Sequence, residues 1–107
     1  MTLTVEGKVR PLPANTSLAL YRGAQEALTN VARYAPGAPT TVVLSYQAGS
    51  TSLAIENGVP AGRADRLPTL GGGNGLAGLR ERVESAGGSL HAGPTERGWR
   101  VELQVPA

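Results

Sequence analysis

A carboxylate, a carboxamide and a guanidinium share one side of a predicted helix. Glu26, Asn30 and Arg33 stand at positions i, i+4 and i+7, which places their side chains on one stripe. Oxygen ligands of this kind suit a hydrated Mg²⁺ and arginine suits phosphate oxygens, so the set fits a magnesium–polyphosphate group. The same spacing is also typical of an ordinary solvent-facing stripe, and spacing alone leaves both interpretations open.

A second polar residue ends a predicted strand. Leu53 and Ile55 alternate toward the core, so Asn57 continues their side of the strand and Glu56 points away. An amide at the inner end of a strand, followed by Gly58, can recognise a group bound above the sheet. Asn-Gly is also a common turn pair, so a plain turn is the alternative.

A glycine-rich segment opens a predicted helix and reads Gly71-Gly72-Gly73-Asn74-Gly75-Leu76-Ala77-Gly78-Leu79-Arg80. Glycines let the backbone approach a ligand closely, and the start of a helix presents free N–H groups to an anion. No Gly-Lys-Ser/Thr follows, so it is not a Walker A loop, and a long loop stands where the dinucleotide fingerprint needs a strand. On its own, such a segment is weak evidence for a phosphate site.

Composition excludes several other kinds of site. The 107 residues fit a single domain over 1–107, with 15 Gly, no Cys, one His and one Asp. A disulfide scaffold, a thiolate zinc site, a Ser-His-Asp triad and a multi-histidine metal site therefore drop out. The net charge is +2 and the arginines are scattered, which favours a mixed solvated surface over a nucleic-acid face. No apolar run approaches the roughly 20 residues of a membrane span, and the first residues do not resemble a signal peptide.

Hydrophobic periodicity predicts the elements that carry these residues. Leu3, Val5 and Val9 alternate with polar residues, which indicates a half-buried strand that Pro11 and Pro13 end. A helix is expected from N-cap residue types at Asn15, Thr16 and Ser17 to about Ala35. Its predicted apolar face consists of Tyr21, Ala24, Leu28, Val31 and Ala35.

The rest of the chain predicts two hairpins, a loop and a second helix. Runs around Val42–Tyr46 and Leu53–Ile55 flank Ala48-Gly49-Ser50, which is typical of a β-hairpin. Residues 58–75 form a loop, Leu76–Ala86 a helix that Gly87-Gly88 ends, and Ser89–Ala92 and the run from Trp99 two final strands. Neither helix is apolar all round, so both must cover the same face of the sheet. The prediction is an α+β fold, a two-layer α/β sandwich with a mixed, mostly antiparallel sheet.

The order and spacing of the three motifs resemble the ATP-binding catalytic domain of sensor histidine kinases, in the gyrase, chaperone, histidine kinase and mismatch-repair (GHKL) ATPase superfamily. Gln25-Glu26-Ala27-Leu28-Thr29-Asn30-Val31 is similar to that family's N box, in the form of the nitrate-response and lipid-fluidity sensor kinases. Gly73 to Arg82 resembles its second glycine box. The resemblance runs from about Val5 to Val105 and implies the Bergerat fold of GHKL ATPases.

The resemblance also implies a role for each residue. Asn30 would bind Mg²⁺, Arg33 would contact phosphate, and Glu26 would act near the γ-phosphate as orienting group or base. The residues implied to line the ATP site are Tyr34, Asn57, Gly58, Gly73, Asn74, Gly75 and Leu76. Asn57 stands where the family has an Asp that accepts a hydrogen bond from the adenine amino group, and the glycines of Asp-x-Gly-x-Gly are displaced. Aligning Glu56 instead restores one glycine but turns the carboxylate to the wrong face.

The implied function is transfer of the γ-phosphoryl group of Mg·ATP to a histidine on a separate dimerisation domain, with a response regulator downstream. His91 lies in a predicted strand and is expected to be a surface or structural residue. The resemblance then implies a cytoplasmic domain excised from a larger kinase that can be membrane-anchored elsewhere, with no nucleic-acid or direct membrane contact by this domain. Three alternatives stay open: an anti-sigma-factor serine kinase, a hydrolysing ATPase, and a non-catalytic binding module. Because an amide is a weaker acceptor than a carboxylate, Asn57→Asp is expected to tighten ATP binding about tenfold.

Overall fold

The long helix α1 spans Ala14–Tyr34 in the computed structural model, which describes residues 1–35, 37–58, 74–96 and 98–107. Its N-cap is Pro13, with no side-chain cap hydrogen bond, so the prediction of a cap among residues 15–17 is wrong. Two of the three side chains make other hydrogen bonds. The Thr16 hydroxyl donates to the backbone oxygen of Pro106 at 3.3 Å, and Asn15 accepts from the Thr16 N–H at 3.0 Å.

The buried face of α1 is rotated from the predicted one. Tyr21 is 62% exposed, whereas the buried positions are Thr16, Ala19, Leu20, Gly23, Ala27 and, just beyond the helix, Ala35. Gly23 explains the rotation, since a Cβ there would lie 2.5 Å from Cδ2 of Leu103. The helix therefore approaches the sheet through its smallest residue, and the large Tyr21 ring points outward.

Within the described residues, five strands form one sheet in the order β1-β2-β3-β5-β4, with β1 parallel to β2 and every other pair antiparallel. The strands are β1 (Thr2–Glu6), β2 (Thr40–Gln47), β3 (Ser50–Gly58), β4 (Ser89–Pro94) and β5 (Gly98–Pro106). Both predicted hairpins are confirmed, and Gly49 takes the positive φ of +77° that the turn between β2 and β3 requires. The predicted loop over 58–75 lies mostly outside the described residues.

The first strand departs from its prediction. β1 ends at Glu6, because Gly7 adopts a φ of +80° well before Pro11. Leu3 and Val5 pair with Val42 and Leu44 of β2 but remain 62% and 48% exposed. The half-buried assignment is wrong because β1 is an edge strand and no element besides β2 packs closely against it in the described part of the chain.

The second helix, α2 (Asn74–Ser85), lies beside α1 on the same face of the sheet. Its Leu79 and Val83 join the inner residues of β3 and β5 in one core. α2 ends as the sequence predicts, with Gly87 at a φ of +85° and the Gly88 N–H bonded to the carbonyl of Val83 at 2.9 Å. Over the ranges that the structure describes, the architecture is thus the predicted α+β sandwich of one mixed sheet and two covering helices.

Neither α1 nor α2, the two helices within the described ranges, is long and apolar enough to cross a membrane.

Candidate functional site

Asn57 lies on the inner face at the end of β3 and is 6% exposed. Its Nδ2 donates to the backbone oxygen of Gly58 at 3.1 Å. Glu56 points to the outer face, where its carboxylate is 3.5 Å from the guanidinium of Arg100. The strand parity deduced from the sequence is therefore confirmed, and the carboxylate of Glu56 is turned away from the inner face.

Two glycines let the strands meet closely beside Asn57. Gly98 pairs with Gly58, and a Cβ on Gly98 would overlap the backbone oxygen of Asn57. The Gly58 N–H donates to the carbonyl of Pro39 at 2.8 Å, which ties this end of β3 to the start of β2. The sequence prediction starts the last strand at Trp99 and gives Gly98 no role; its place directly before an alternating strand is the signal that could have marked it.

Trp99 is a functional candidate that sequence reasoning missed. It stands directly opposite Asn57 in the β3–β5 register, so the two side chains are neighbours on the inner face. Its Nε1 atom is buried and has no hydrogen-bond partner in the described ranges. A buried indole N–H normally finds a partner, so this donor requires an explanation.

The C-terminal half of α1 leads to the same end of the sheet. Thr16 bonds to Pro106 and Gly23 packs on Leu103, so α1 runs along β5 in the opposite direction. At about 1.5 Å per helical residue and about 3.3 Å per strand residue, Asn30 comes level with the first residues of β5. Asn30 is half-buried, and its Nδ2 is a second buried donor without a partner in the described chain.

Glu26 and Arg33 flank Asn30 on α1. Glu26 is half-buried and Arg33 is exposed. The stripe predicted from the sequence therefore lies along one border of the buried face rather than in open solvent along its whole length. Tyr34 is the last residue of α1, and its side chain lies outside the described part of the structure.

The start of α2 points toward the same end. Gly87, just after α2, lies beside Pro106 at the far end of β5, so the helix runs back toward Trp99 from there. Asn74, Gly75 and Leu76 form its first turn, where free N–H groups and the positive end of the dipole favour an anion. The side chains of Asn74 and Leu76 lie outside the described part, as does Gly73 altogether.

One end of the sandwich thus collects Asn30, Asn57, Trp99 and the start of α2. These groups are neutral hydrogen-bonding atoms and backbone N–H groups, which suits binding of a polar, anionic ligand rather than a multidentate carboxylate metal cage. In the ranges that the structure describes, no three His, Cys, Asp or Glu residues cluster as a metal site. His91 is exposed on β4, opposite Glu102, as predicted for a surface residue.

Comparison with known sequences finds relatives along most of the chain. It is 36% identical over 96 residues to the sensor histidine kinase YxjM of Bacillus subtilis, a match that covers 88% of the chain and 22% of that protein. It is 33% identical over 98 residues to the signal transduction histidine-protein kinase/phosphatase UhpB of Salmonella typhimurium, covering 89% of the chain and 18% of that protein. The chain spans about a fifth of the length of these curated relatives. No family model matches.

Solved structures share the fold. The histidine kinase domain of the blue-light activated histidine kinase from Erythrobacter litoralis matches with a TM-score of 0.67 and 23% identity, over 98% of this chain and 54% of that one. The catalytic domain of histidine kinase ThkA matches with a TM-score of 0.70 and 12% identity, over 98% of this chain and 76% of that one. At these identities the likeness is one of fold.

Proposed function

We propose that this chain, whose sequence relatives are sensor histidine kinases and whose fold is that of histidine kinase catalytic domains, binds Mg·ATP and donates its γ-phosphoryl group to a histidine on a separate dimerisation domain. The observation that carries the proposal is the buried Nδ2 of Asn30, a donor with no partner in the described residues, at the same end of the sheet as Asn57 and the start of α2. An unpaired buried amide costs about 1–3 kcal/mol, a cost that a polar ligand would relieve.

The residues at this end fit Mg·ATP in kind. The Asn30 amide oxygen is a hard ligand of the type that Mg²⁺ prefers, and Arg33 offers a guanidinium to phosphate oxygens. The first turn of α2, which includes Asn74 and Gly75, would offer backbone N–H groups to the phosphates. In the proposal the backbone of Gly73 does the same. Bound magnesium would neutralise charge on the phosphates during transfer.

Asn57 and Gly58 would receive the base. The Asn57 amide lies on the inner face, and its Nδ2 is already bonded to the Gly58 oxygen, so the Asn57 Oδ1 is the atom left to accept a hydrogen bond. Leu76 and Tyr34 complete the proposed nucleotide site by their places at the start of α2 and the end of α1. The base and the phosphates would then lie between the end of β3 and the two helices.

Glu26 is the proposed catalytic residue. In the transfer, a nitrogen of the acceptor imidazole bonds to the γ-phosphorus as the bond to the bridging oxygen breaks and ADP leaves. Positioning and charge neutralisation supply most of the acceleration in such reactions. Glu26 is half-buried one turn before Asn30, where its carboxylate would orient the acceptor imidazole or accept its proton.

The proposal implies two protein partners for the domain. The acceptor histidine lies on a dimerisation domain, and a response regulator receives the phosphoryl group next. The domain would be cytoplasmic within a kinase that is membrane-anchored elsewhere.

Calorimetry on the chain tests the proposal. Wild type should bind Mg·ATP, with affinity falling when EDTA removes magnesium. Asn30→Ala should bind about tenfold or more weakly and lose the dependence on magnesium, as expected for removal of a metal ligand. Thr29→Ala, at the exposed neighbouring position, is the matched control and should bind as wild type. No binding by folded wild type would overturn the proposal in favour of a non-catalytic module.

Labelled ATP separates the possible chemistries. The isolated chain should acquire no phosphate, because the acceptor histidine belongs to another domain. Steady release of phosphate by the chain alone would instead support a hydrolysing ATPase. Glu26→Gln should leave calorimetric ATP affinity unchanged, because the carboxylate is proposed to act on the acceptor rather than on the nucleotide.

A further inference from the structure

We infer that Trp99 reads the nucleobase together with Asn57: its indole N–H donates to the purine ring nitrogen beside the 6-amino group, while the Asn57 Oδ1 accepts from that amino group. The inference rests on the proposed function and names a contact beyond it. Trp99 lies outside all three sequence motifs.

The Asn57 amide has a fixed orientation. Its Nδ2 is 3.1 Å from the backbone oxygen of Gly58, and an oxygen at that position would repel the carbonyl. The side chain is 6% exposed, which leaves it little freedom to turn over. Oδ1 therefore faces the opposite way, and nothing donates to it within the described ranges. Asn57 thus behaves as an acceptor toward a ligand.

Trp99 supplies a donor from the residue that is paired with Asn57. The two residues are paired across β3 and β5, so their side chains emerge side by side on the inner face. An indole N–H donates and cannot accept, and this one is buried without a partner in the described chain. The Thr16 hydroxyl, at the other end of β5, donates to the backbone oxygen of Pro106, whereas the Trp99 N–H donates to no group in the described residues.

An acceptor beside a donor matches adenine. Adenine presents an amino donor at C6 with a ring acceptor on either side of it, N1 on one edge and N7 on the other. Guanine presents an acceptor at C6, which would meet the fixed Oδ1 of Asn57 and leave both oxygens unpaired. The pair therefore accepts a 6-amino purine and rejects a 6-oxo purine, and it does so with neutral groups.

Fluorescence can test the role of Trp99 directly, because Trp99 is the single tryptophan of the chain. Its Nε1 is enclosed in this structure, so a ligand that bonds to it must change the surroundings of the ring. Indole fluorescence should therefore shift on titration with ATP.

The decisive experiment measures the affinity of ATP, 1-deaza-ATP and 7-deaza-ATP by calorimetry, each with magnesium. In wild type, one of the two analogues should bind about threefold to tenfold more weakly than ATP, since it lacks the nitrogen that Trp99 contacts. Trp99→Phe keeps an aromatic ring, removes the N–H, and should bind ATP and that analogue equally. Tyr21→Phe, at a position 62% exposed, is the control and should retain the wild-type difference.

The outcomes separate this inference from the proposed function. If wild type binds ATP and both deaza analogues equally, Trp99 makes no such contact and the inference fails while ATP binding stands. If Trp99→Phe still discriminates between the analogues, the donor is another group and the inference also fails. If wild type binds no nucleotide at all, the proposed function itself fails. The affinities of ATP and its deaza analogues are compared in the wild-type chain, so the inference can be tested even where Trp99→Phe is unstable.

Discussion

The two ends of the inner β3–β5 face are built from the same alternating strands but differ in their hydrogen bonding. At one end Thr51 is fully buried, and Arg10 reaches in to donate from Nη2 to the backbone oxygens of Gln47 at 2.8 Å and Ser50 at 3.0 Å. The same guanidinium bonds to the oxygen of Ala107. At the other end Asn30 and Trp99 each bury a donor that has no partner in the described residues.

We infer from this difference that the Arg10 end of the sheet contributes to stability and the Asn57 end to ligand binding. Arg10 gathers strand ends far apart in sequence, so its end of the sheet is satisfied without a ligand. The Asn57 end carries two buried donors that have no partner in the described part of the chain. A donor left unpaired in this way costs about 1–3 kcal/mol in the free domain. Such a cost is expected where a ligand completes the hydrogen bonds, and ligand sites are drawn from the less stable parts of a fold.

The largest effect on the Asn57 end of the sheet is expected from a substitution at Gly98. Gly98→Ala places a Cβ onto the backbone oxygen of Asn57, which must push β3 and β5 apart. We expect a loss of about 3 kcal/mol in the free energy of unfolding, measured by urea denaturation, together with loss of ATP binding. Gly93→Ala on neighbouring β4 meets open space and is the control. Wild-type stability in Gly98→Ala would show that the strands do not meet this closely.

A substitution at the Arg10 end of the sheet should lower stability and leave ATP affinity unchanged. Arg10→Ala removes hydrogen bonds from a charged donor to several backbone oxygens, and should lower the free energy of unfolding by about 2 kcal/mol. ATP affinity of the folded variant should stay as in wild type, because the site lies at the other end of β5. Arg22→Ala, which loses one exposed contact to Gln25, is the control. A variant that kept its stability but lost ATP would reverse the assignment of the two ends.

Asn57→Asp tests the proposed hydrogen bond between residue 57 and the adenine amino group. The carboxylate is a stronger acceptor for the adenine amino group, so ATP affinity should rise about tenfold, or about 1.4 kcal/mol. The free domain should become less stable, because the Nδ2 bond to the Gly58 oxygen is replaced by two facing oxygens. Calorimetry and urea denaturation of the same samples give both quantities. Weaker ATP binding by the Asp variant would contradict the base contact.

The smallest effect is expected at Glu56. Its carboxylate and Arg100 form an ion pair on the outer face with side chains 41% and 44% exposed. Glu56→Gln should change the free energy of unfolding by less than about 0.5 kcal/mol and leave ATP affinity unchanged. A marked loss of ATP binding would mean that Glu56, not Asn57, recognises the base.

The sequence predicts the parts of this contrast that depend on local pattern. Alternation in β3 places Asn57 inward and Glu56 outward, and Gly87-Gly88 predicts the end of α2; both are confirmed. Hydrogen bonds between distant residues are not visible in this way. The Thr16 side chain bonds to the last strand rather than capping α1, and the reach of Arg10 across the strand ends has no local signature.

Packing between elements accounts for the other errors. The face of α1 follows from the close approach at Gly23, which depends on Leu103 at the far end of the chain. The buried Nε1 of Trp99, which has no partner in the described residues, likewise depends on packing between elements and is not visible in the β5 sequence alone. The predicted roles of all the candidate site residues stay predictions, and for Gly73, Asn74 and Tyr34 the side chain or backbone also falls outside the described ranges.

The parallel pairing of β1 has a kinetic consequence. β2–β3 and β4–β5 are hairpins whose strands meet soon after synthesis, whereas β1 pairs with β2 only after the whole of α1 has intervened. Closing that long connection carries a large entropic cost, and all five residues of β1 stay exposed in return. We therefore expect β1 to join the sheet last in folding and its amide hydrogens to exchange with solvent first, before those of β3 and β5.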